Sequence, residues 1–137
     1  MSLTGTYTRA LDAKLRVAIP KRFRDELVTV EDTRLFLAPE TDRSLGLFGG
    51  KGFQERARRL EEVSGGSSRV RNYMRLYYSQ AEQVELDSQG RIRVPDRLVA
   101  YGKLQQNVVL LGVHDHVEIW GQEQWEDFLA THSSGFD

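Results

Sequence analysis

Apolar positions recur along this chain with two different periods, and the change of period marks out its elements. Val17 and Ile19 alternate with Arg16 and Ala18, which predicts a short strand with its apolar pair toward the core and Arg16 at the edge, beside a turn. Thr6 to Leu11 reads as the strand on the other side of that four-residue turn. Pro20 suits the first turn of a short helix, in which Phe23 and Leu27 lie one turn apart on the buried side. Leu35-Phe36-Leu37 and Leu45-Gly46-Leu47-Phe48 then predict a second hairpin, followed by a helix carrying Phe53, Ala57 and Leu60.

The same plan then returns. Leu11-Asp12-Ala13-Lys14-Leu15-Arg16-Val17-Ala18-Ile19-Pro20 is echoed 75 residues later by Leu86-Asp87-Ser88-Gln89-Gly90-Arg91-Ile92-Arg93-Val94-Pro95, with Leu, Asp, Arg and Pro unchanged. Further on, Leu47-Phe48-Gly49 and Phe53 correspond to Ile119-Trp120-Gly121 and Trp125 at an offset of 72. The second copy predicts strand residues Val84 and Leu86, a turn at Asp87 to Gly90, then Ile92 and Val94. A helix with Leu98, closed by Gly102, follows. Val108 to Leu111 and Val117 to Trp120 form the hairpin, and Trp125, Phe128 and Leu129 mark the last helix. The expected organisation is a first unit over 1–66, a connecting helix over 67–80, a second unit over 81–131 and a flexible tail over 132–137. The connecting helix carries Val70, Tyr73, Met74, Tyr77 and Tyr78 on one stripe opposite Arg71 and Arg75, a spacing that favours core or subunit contact over base stacking. Ser64-Gly65-Gly66-Ser67-Ser68 is the expected flexible linker. Two units of this size must share a core to be stable, so a pseudo-twofold pair is expected, with independent domains as the competing arrangement.

Charge sharpens the picture. The 137 residues carry a net charge of −1, but residues 1–75 hold 15 Lys and Arg against 10 Asp and Glu, whereas residues 76–137 hold 4 against 10. Arg9, Lys14, Arg16, Lys21, Arg22 and Arg24 face only Asp12 between residues 9 and 24, enough for a local positive patch. A second basic run, Arg56, Arg58, Arg59, Arg69, Arg71 and Arg75, has a solvated helix face as its simpler reading. Cysteine is absent, which excludes disulfides and thiol catalysis. No apolar run reaches the roughly 18 residues of a membrane span, and Met1 to Gly5 lacks the features of a signal peptide. A cytoplasmic location is expected.

Catalytic signatures are thin. Gly46 to Gly52 has the wrong glycine spacing for a phosphate loop and reads as a strand-to-helix turn. His114-Asp115-His116 falls at a hairpin tip with no further metal ligands nearby in sequence, so no metal and no cofactor are expected. No serine or threonine sits in a nucleophile motif, and no enzyme activity or small-molecule substrate is expected. What remains is the repeated turn. Its aspartate suits a local clasp, accepting turn amides and pairing with the arginine four positions on. Its arginine can present a planar fork to a phosphate or to the O6/N7 edge of guanine. The two readings are compatible.

Gly5-Thr6-Tyr7, the two Leu-Asp-x-x-x-Arg segments with their Pro20 and Pro95, Phe23-Arg24, and Ser79-Gln80-Ala81-Glu82 together resemble the MraZ family of bacterial transcriptional regulators, nearly end to end. The resemblance implies an α+β, mainly β fold: two intertwined SpoVT/AbrB-like units in a pseudo-twofold double-split β-barrel with short peripheral helices. It also implies a ring homo-oligomer, octameric or larger, associated with the nucleoid and with double-stranded promoter DNA as its partner. Short repeated boxes before the division and cell-wall gene cluster are the implied target. The DNA-contacting residues implied are Arg16 and Arg91 with Lys14, Arg9, Lys21, Arg22, Arg24 and Arg93, while Asp12, Asp87 and Gly90 hold the turns. A ring-forming interaction protein with weak or no DNA binding is the alternative. Leu15 stands where the family pattern usually has glycine, and leucine reaches positive φ only at a cost, so the expectation is that the first turn takes another shape, with Leu15 as an apolar anchor in a subunit contact as the alternative.

Overall fold

Strands and helices follow the order β-β-α-β-β-α twice, before and after one extra helix. The computed structural model describes residues 2–64 and 66–136, so Met1, Gly65 of the expected linker and Asp137 of the expected tail lie outside the described residues. The elements are β1 (Thr6–Ala10), β2 (Arg16–Ala18), α1 (Lys21–Leu27), β3 (Leu35–Pro39), β4 (Leu45–Gly49), α2 (Gly50–Ser64) and α3 (Ser68–Gln80). They continue with β5 (Glu82–Val84), β6 (Arg91–Arg93), α4 (Asp96–Gly102), β7 (Asn107–Val113), β8 (His116–Gly121) and α5 (Gln122–Phe136). Pro20 and Pro95 sit at the caps of α1 and α4, one residue before each helix, with φ of −51° and −57° that the ring imposes. Gly102 is the last helical residue of α4, and Lys103 rather than Gly102 takes the left-handed cap at φ 52°.

Six strands form one antiparallel sheet in the order β1-β7-β8-β4-β3-β5, and β2 and β6 form a separate two-stranded ribbon. Strand order reads the same from either end. β1 pairs with β7 and β5 with β3, so each outer strand lies against the other half of the chain. At the middle, Gly46 of β4 faces Glu118 of β8, which are counterparts at the offset of 72. The expected closed barrel is not formed, because β1 and β5 remain as edges and the ribbon is not hydrogen-bonded into the sheet ladder. Nor are all the helices short: α2 and α5 each have 15 residues and α3 has 13. The segment expected as a tail from 132 continues α5 as far as Phe136.

The core lies between the ribbon and one face of the sheet. Leu35, Leu37, Leu45, Leu47, Val108, Leu110, Val117 and Ile119 point down from the sheet onto Val17, Ile19, Ile92 and Val94, with Phe23 and Leu27 of α1 and Leu98 of α4 closing the sides. One buried cluster thus draws on both halves, which excludes independent domains. The opposite sheet face is also covered. There Phe36, Phe48 and Phe53 pack with Tyr77 and Tyr78 under α2 and α3, and Trp120 meets Trp125 and Phe128 of α5. Burial on both faces explains why β4 reads as a continuous buried run without alternation. The tyrosine stripe of α3 is therefore partly core: Tyr77 is buried and donates to Glu40 Oε2 at 2.8 Å.

Candidate nucleic-acid interface

Each repeated turn is built by its aspartate. Asp12 Oδ1 accepts the backbone N–H groups of Lys14 at 2.9 Å and Arg16 at 2.8 Å, and Oδ2 accepts Arg16 Nε at 2.8 Å. Asp87 does the same for Gln89 N at 2.9 Å, Arg91 N at 3.0 Å and Arg91 Nε at 2.8 Å. Both carboxyls are held below the usual 3.8, first by the backbone N–H of the motif arginine and then, against some loss of solvent, by its side chain. An aspartate tied this way fixes both the turn and the direction of the guanidinium. Only Nε is used by the clasp.

The first turn keeps the shape of the second. Leu15 has φ 62° where Gly90 has φ 75°, so the expectation of a different shape is corrected. The reason is on the other strand: Leu15 C=O accepts Val94 N–H at 2.8 Å, and Gly90 C=O accepts Ile19 N–H at 3.0 Å. Both carbonyls must turn inward to tie the two halves together, and the left-handed residue achieves that. Leucine offsets its backbone strain, on the order of 1–2 kcal/mol, by packing its half-buried side chain against the core.

The ribbon carries the motif arginines. Arg16 lies directly opposite Arg93, Ala18 opposite Arg91, and Val17 opposite Ile92. Residues that face each other across an antiparallel pair, or lie two apart on one strand, share a face. Hence Arg16, Arg91 and Arg93 share one face with Ala18 at the fourth corner, while Val17 and Ile92 turn into the core. Strands of three residues are too short to hold alone. Burying Val17 and Ile92, each worth roughly 1.5–3 kcal/mol, fixes the ribbon and so the arginine face. Arg93 Nη2 also meets Asp96 Oδ1 at 3.3 Å, in an exposed pair.

The remaining basic residues make contacts of their own. Lys14 is exposed on the first turn, and Lys21 pairs with Asp25 at 2.7 Å on the exposed side of α1. Arg9 and Arg22 converge instead on the Tyr7 ring, 5.2 and 5.9 Å from its centre, and Arg22 also donates to the Thr4 carbonyl. Arg24 lies against Gly90, in the turn of the other half. Of the second basic run, Arg56 pairs with Glu40 at 2.7 Å, Arg58 with Glu55 and Glu62, and Arg59 with Asp115 at 3.2 Å. Those arginines hold helix α2 together and to its neighbours.

Two polar groups are buried under the helices: Glu40, which nothing in the sequence singles out, and His116 of the hairpin-tip run. Glu40 is buried against Gly46, whose missing Cβ would lie 2.5 Å from Glu40 Oε2, and loss of solvent raises its pKa despite Arg56 and Tyr77. His116 is buried, stacked on Phe48 at 5.0 Å, with Nδ1 2.7 Å from Asp115 Oδ1 and Nε2 3.0 Å from Glu118 Oε2. Burial alone would lower its pKa, but the bonds to Glu118 and Asp115 outweigh that and raise it above 6.5. Both ring nitrogens are engaged, so the His114-Asp115-His116 run works as a structural brace. Gly46 and Gly49 belong to β4 and Gly50 and Gly52 to α2, as a strand-to-helix junction requires.

Comparison with known proteins decides the family. Over 134 residues the chain is 36% identical to a protein of Bifidobacterium longum named transcriptional regulator MraZ, covering 98% of this chain and 87% of that one. The chain belongs to the MraZ family. Relatives of the same name from Carboxydothermus hydrogenoformans and Moorella thermoacetica are 35% and 32% identical over 133 residues, covering 97% of this chain and 90% of theirs. A family model described as "MraZ protein, putative antitoxin-like" matches residues 77–137, which include the second turn and β6 to β8. MraZ proteins are named as transcriptional regulators and not as enzymes. In this MraZ chain no described helix is long and apolar enough to cross a membrane.

Proposed function

We propose that the protein is a sequence-specific DNA-binding transcriptional regulator that reads double-stranded promoter DNA with the arginine face of the β2–β6 ribbon. The single observation that carries this reading is the clustering of Arg16, Arg91 and Arg93 on one side of a two-stranded ribbon whose other side is anchored in the core. A two-stranded β-ribbon fits the major groove of B-DNA, and arginine is the side chain best suited to the O6/N7 edge of guanine. The aspartate clasps aim Arg16 and Arg91 in advance, which lowers the ordering cost of each contact. Names of relatives support a regulatory role.

The further elements of this reading rest on the family resemblance. The chain is a duplicated SpoVT/AbrB-like unit with intertwined halves, and copies assemble into a ring of eight or more in the cytoplasm, at the nucleoid. The repeated turn and the palindromic strand order support the duplication. One ribbon presents few contacts, whereas linked sites raise avidity by about 10²- to 10⁴-fold, so a ring suits short repeated boxes such as those before division and cell-wall genes. Gel shift of a repeated-box promoter fragment against a scrambled duplex tests the reading, with light scattering on the same sample. Selective retardation by an oligomer is expected. An oligomer that retards neither duplex would instead favour the reading as an interaction protein.

A further inference from the structure

Arg24, a basic side chain of the first half, reaches into the second turn. Its guanidinium lies flat on Gly90: a Cβ built there would be 2.6 Å from Nη1, 2.7 Å from Cζ and 3.0 Å from Nε. Gly90 is buried under it. Glycine at this position therefore does two things, supplying φ 75° and leaving the space that the guanidinium fills. Arg24 Nε is buried with no hydrogen-bond partner, and Arg24 makes no ion pair among the described residues. Asp87, the nearest carboxylate in the turn, is already occupied by Gln89, Arg91 N and Arg91 Nε.

A guanidinium with a buried, unsatisfied Nε–H and no ion pair is costly to keep, and an anion held at its Nη groups, which are not buried, would offset that cost. The first turn has no such arrangement. Its left-handed residue is Leu15, and the position matching Arg24 at the offset of 75 is Val99; both are half-buried apolar side chains packed on the core. The two turns share one backbone shape and differ in what lies over it.

We infer that the second turn is an anion clamp, in which Arg24 from α1 and Arg91 from the turn take one phosphate group between them, and that the first turn has no counterpart. This rests on the DNA-binding reading and deepens it: the second turn anchors the ribbon to the backbone, and the first presents Arg16 beside an apolar floor. The shared chemistry is a phosphate oxygen pair, which a duplex or free phosphate can supply.

The test uses the full-length protein, with the Arg24 Nε–H signal followed by nitrogen-proton NMR and duplex affinity measured across a salt series. Arg24→Met keeps the length and apolar stem of the side chain, and Arg24→Gln serves should Met disturb folding; melting curves confirm the fold of each. Expected for the wild type is a shift of the Arg24 Nε–H signal with both the duplex and inorganic phosphate. Either variant should flatten the log–log salt slope by about 0.9, the contribution of one phosphate. Variants that keep the wild-type slope and affinity would overturn the clamp while leaving DNA binding standing. A wild type whose Nε–H shifts with inorganic phosphate but which binds no duplex would keep the clamp as a phosphate site and remove the DNA reading. No shift with either probe would overturn the clamp.

Discussion

Val17 faces Ile92 across the ribbon, and the two are each other's counterparts at the offset of 75. A residue pairs with its own repeat only where a local twofold axis passes through the pair, and Gly46 facing Glu118 marks the same relation in the six-stranded sheet. Both pairs sit at the join between halves. The ribbon that carries the arginines is therefore also the seam of the fold, and its integrity reports on both.

Substitution at that pair tests the shared core. Ile92→Ala removes a fully buried side chain and should cost about 2–5 kcal/mol in urea unfolding. Combined with Val17→Ala, the losses should depart from additivity by about 0.5–3 kcal/mol, as neighbours in one core do. A single cooperative transition is expected in every variant. Strict additivity, or two separate transitions, would mean that the halves fold on their own.

Leu15 and Gly90 make a second test, because they share a conformation and differ in side chain. Gly90→Ala should destabilise by about 1–2 kcal/mol through its positive φ alone, and should also displace Arg24. Leu15→Gly relieves strain but gives up apolar packing and adds freedom to the unfolded chain, so thermal melts should move by no more than about 1 kcal/mol. A large loss at Leu15 would show that its packing, and not its backbone, dominates.

Much of this architecture was legible in the residues. Alternation at Val17 and Ile19, the prolines at both helix starts and the repeated Asp-Arg turn led directly to β2, β6 and the clasps. The shape of the first turn is not legible from the glycine pattern, because what the turn requires is the inward carbonyl that Val94 and Ile19 hold. The contact of Arg24 is not legible in the same way, because the turn it covers, at Gly90, lies in the other half of the chain. The exchange of β1 and β5 between halves leaves no mark on local periodicity, and neither does the burial of Glu40 and His116, whose partners are long-range or set by hairpin geometry.

The clasps also predict behaviour in acid. Asp12 and Asp87 have folded pKa values below the ordinary 3.8, so their stabilisation is present above that value and is lost as pH falls through the lower, folded one. Thermal melts taken downward from pH 5 should show the wild type losing stability more steeply than an Asp12→Asn/Asp87→Asn double variant. At neutral pH the double variant should be the less stable protein while keeping its oligomeric state. Parallel acid profiles would deny the clasps a share in stability.

His116 works with the opposite sign. Its folded pKa is raised above 6.5 by Glu118 and Asp115, so its stabilisation is complete below 6.5 and is lost as pH rises through the folded value. Melting temperature should therefore fall on the alkaline side of 6.5, and His116→Gln should remove that fall. Proton NMR of the ring would give the folded pKa directly. A value at or below 6.5 contradicts the bridge to Glu118.

Loss of the motif arginines is the decisive test of the ribbon as a DNA reader. Arg16→Ala and Arg91→Ala leave Val17 and Ile92 in place, so melting and oligomer size should change little, while each lost base contact costs about 1–3 kcal/mol of binding. Residue order alone would rank Arg16 above Arg91, since Lys14 precedes it closely and Lys21, Arg22 and Arg24 follow. The neighbours in the fold argue for a more even split. Arg16 retains Arg93 directly across the ribbon, Arg91 retains Arg24 over Gly90, and Arg22 is committed to Thr4, so the two single variants should lose comparable affinity. The double variant should bind promoter and scrambled duplexes alike, with a flatter salt slope. Should it keep both selectivity and slope, the turns are clasps only, and the exposed Arg69 on α3, outside the ion pairs that occupy Arg56, Arg58 and Arg59, becomes the better place to look.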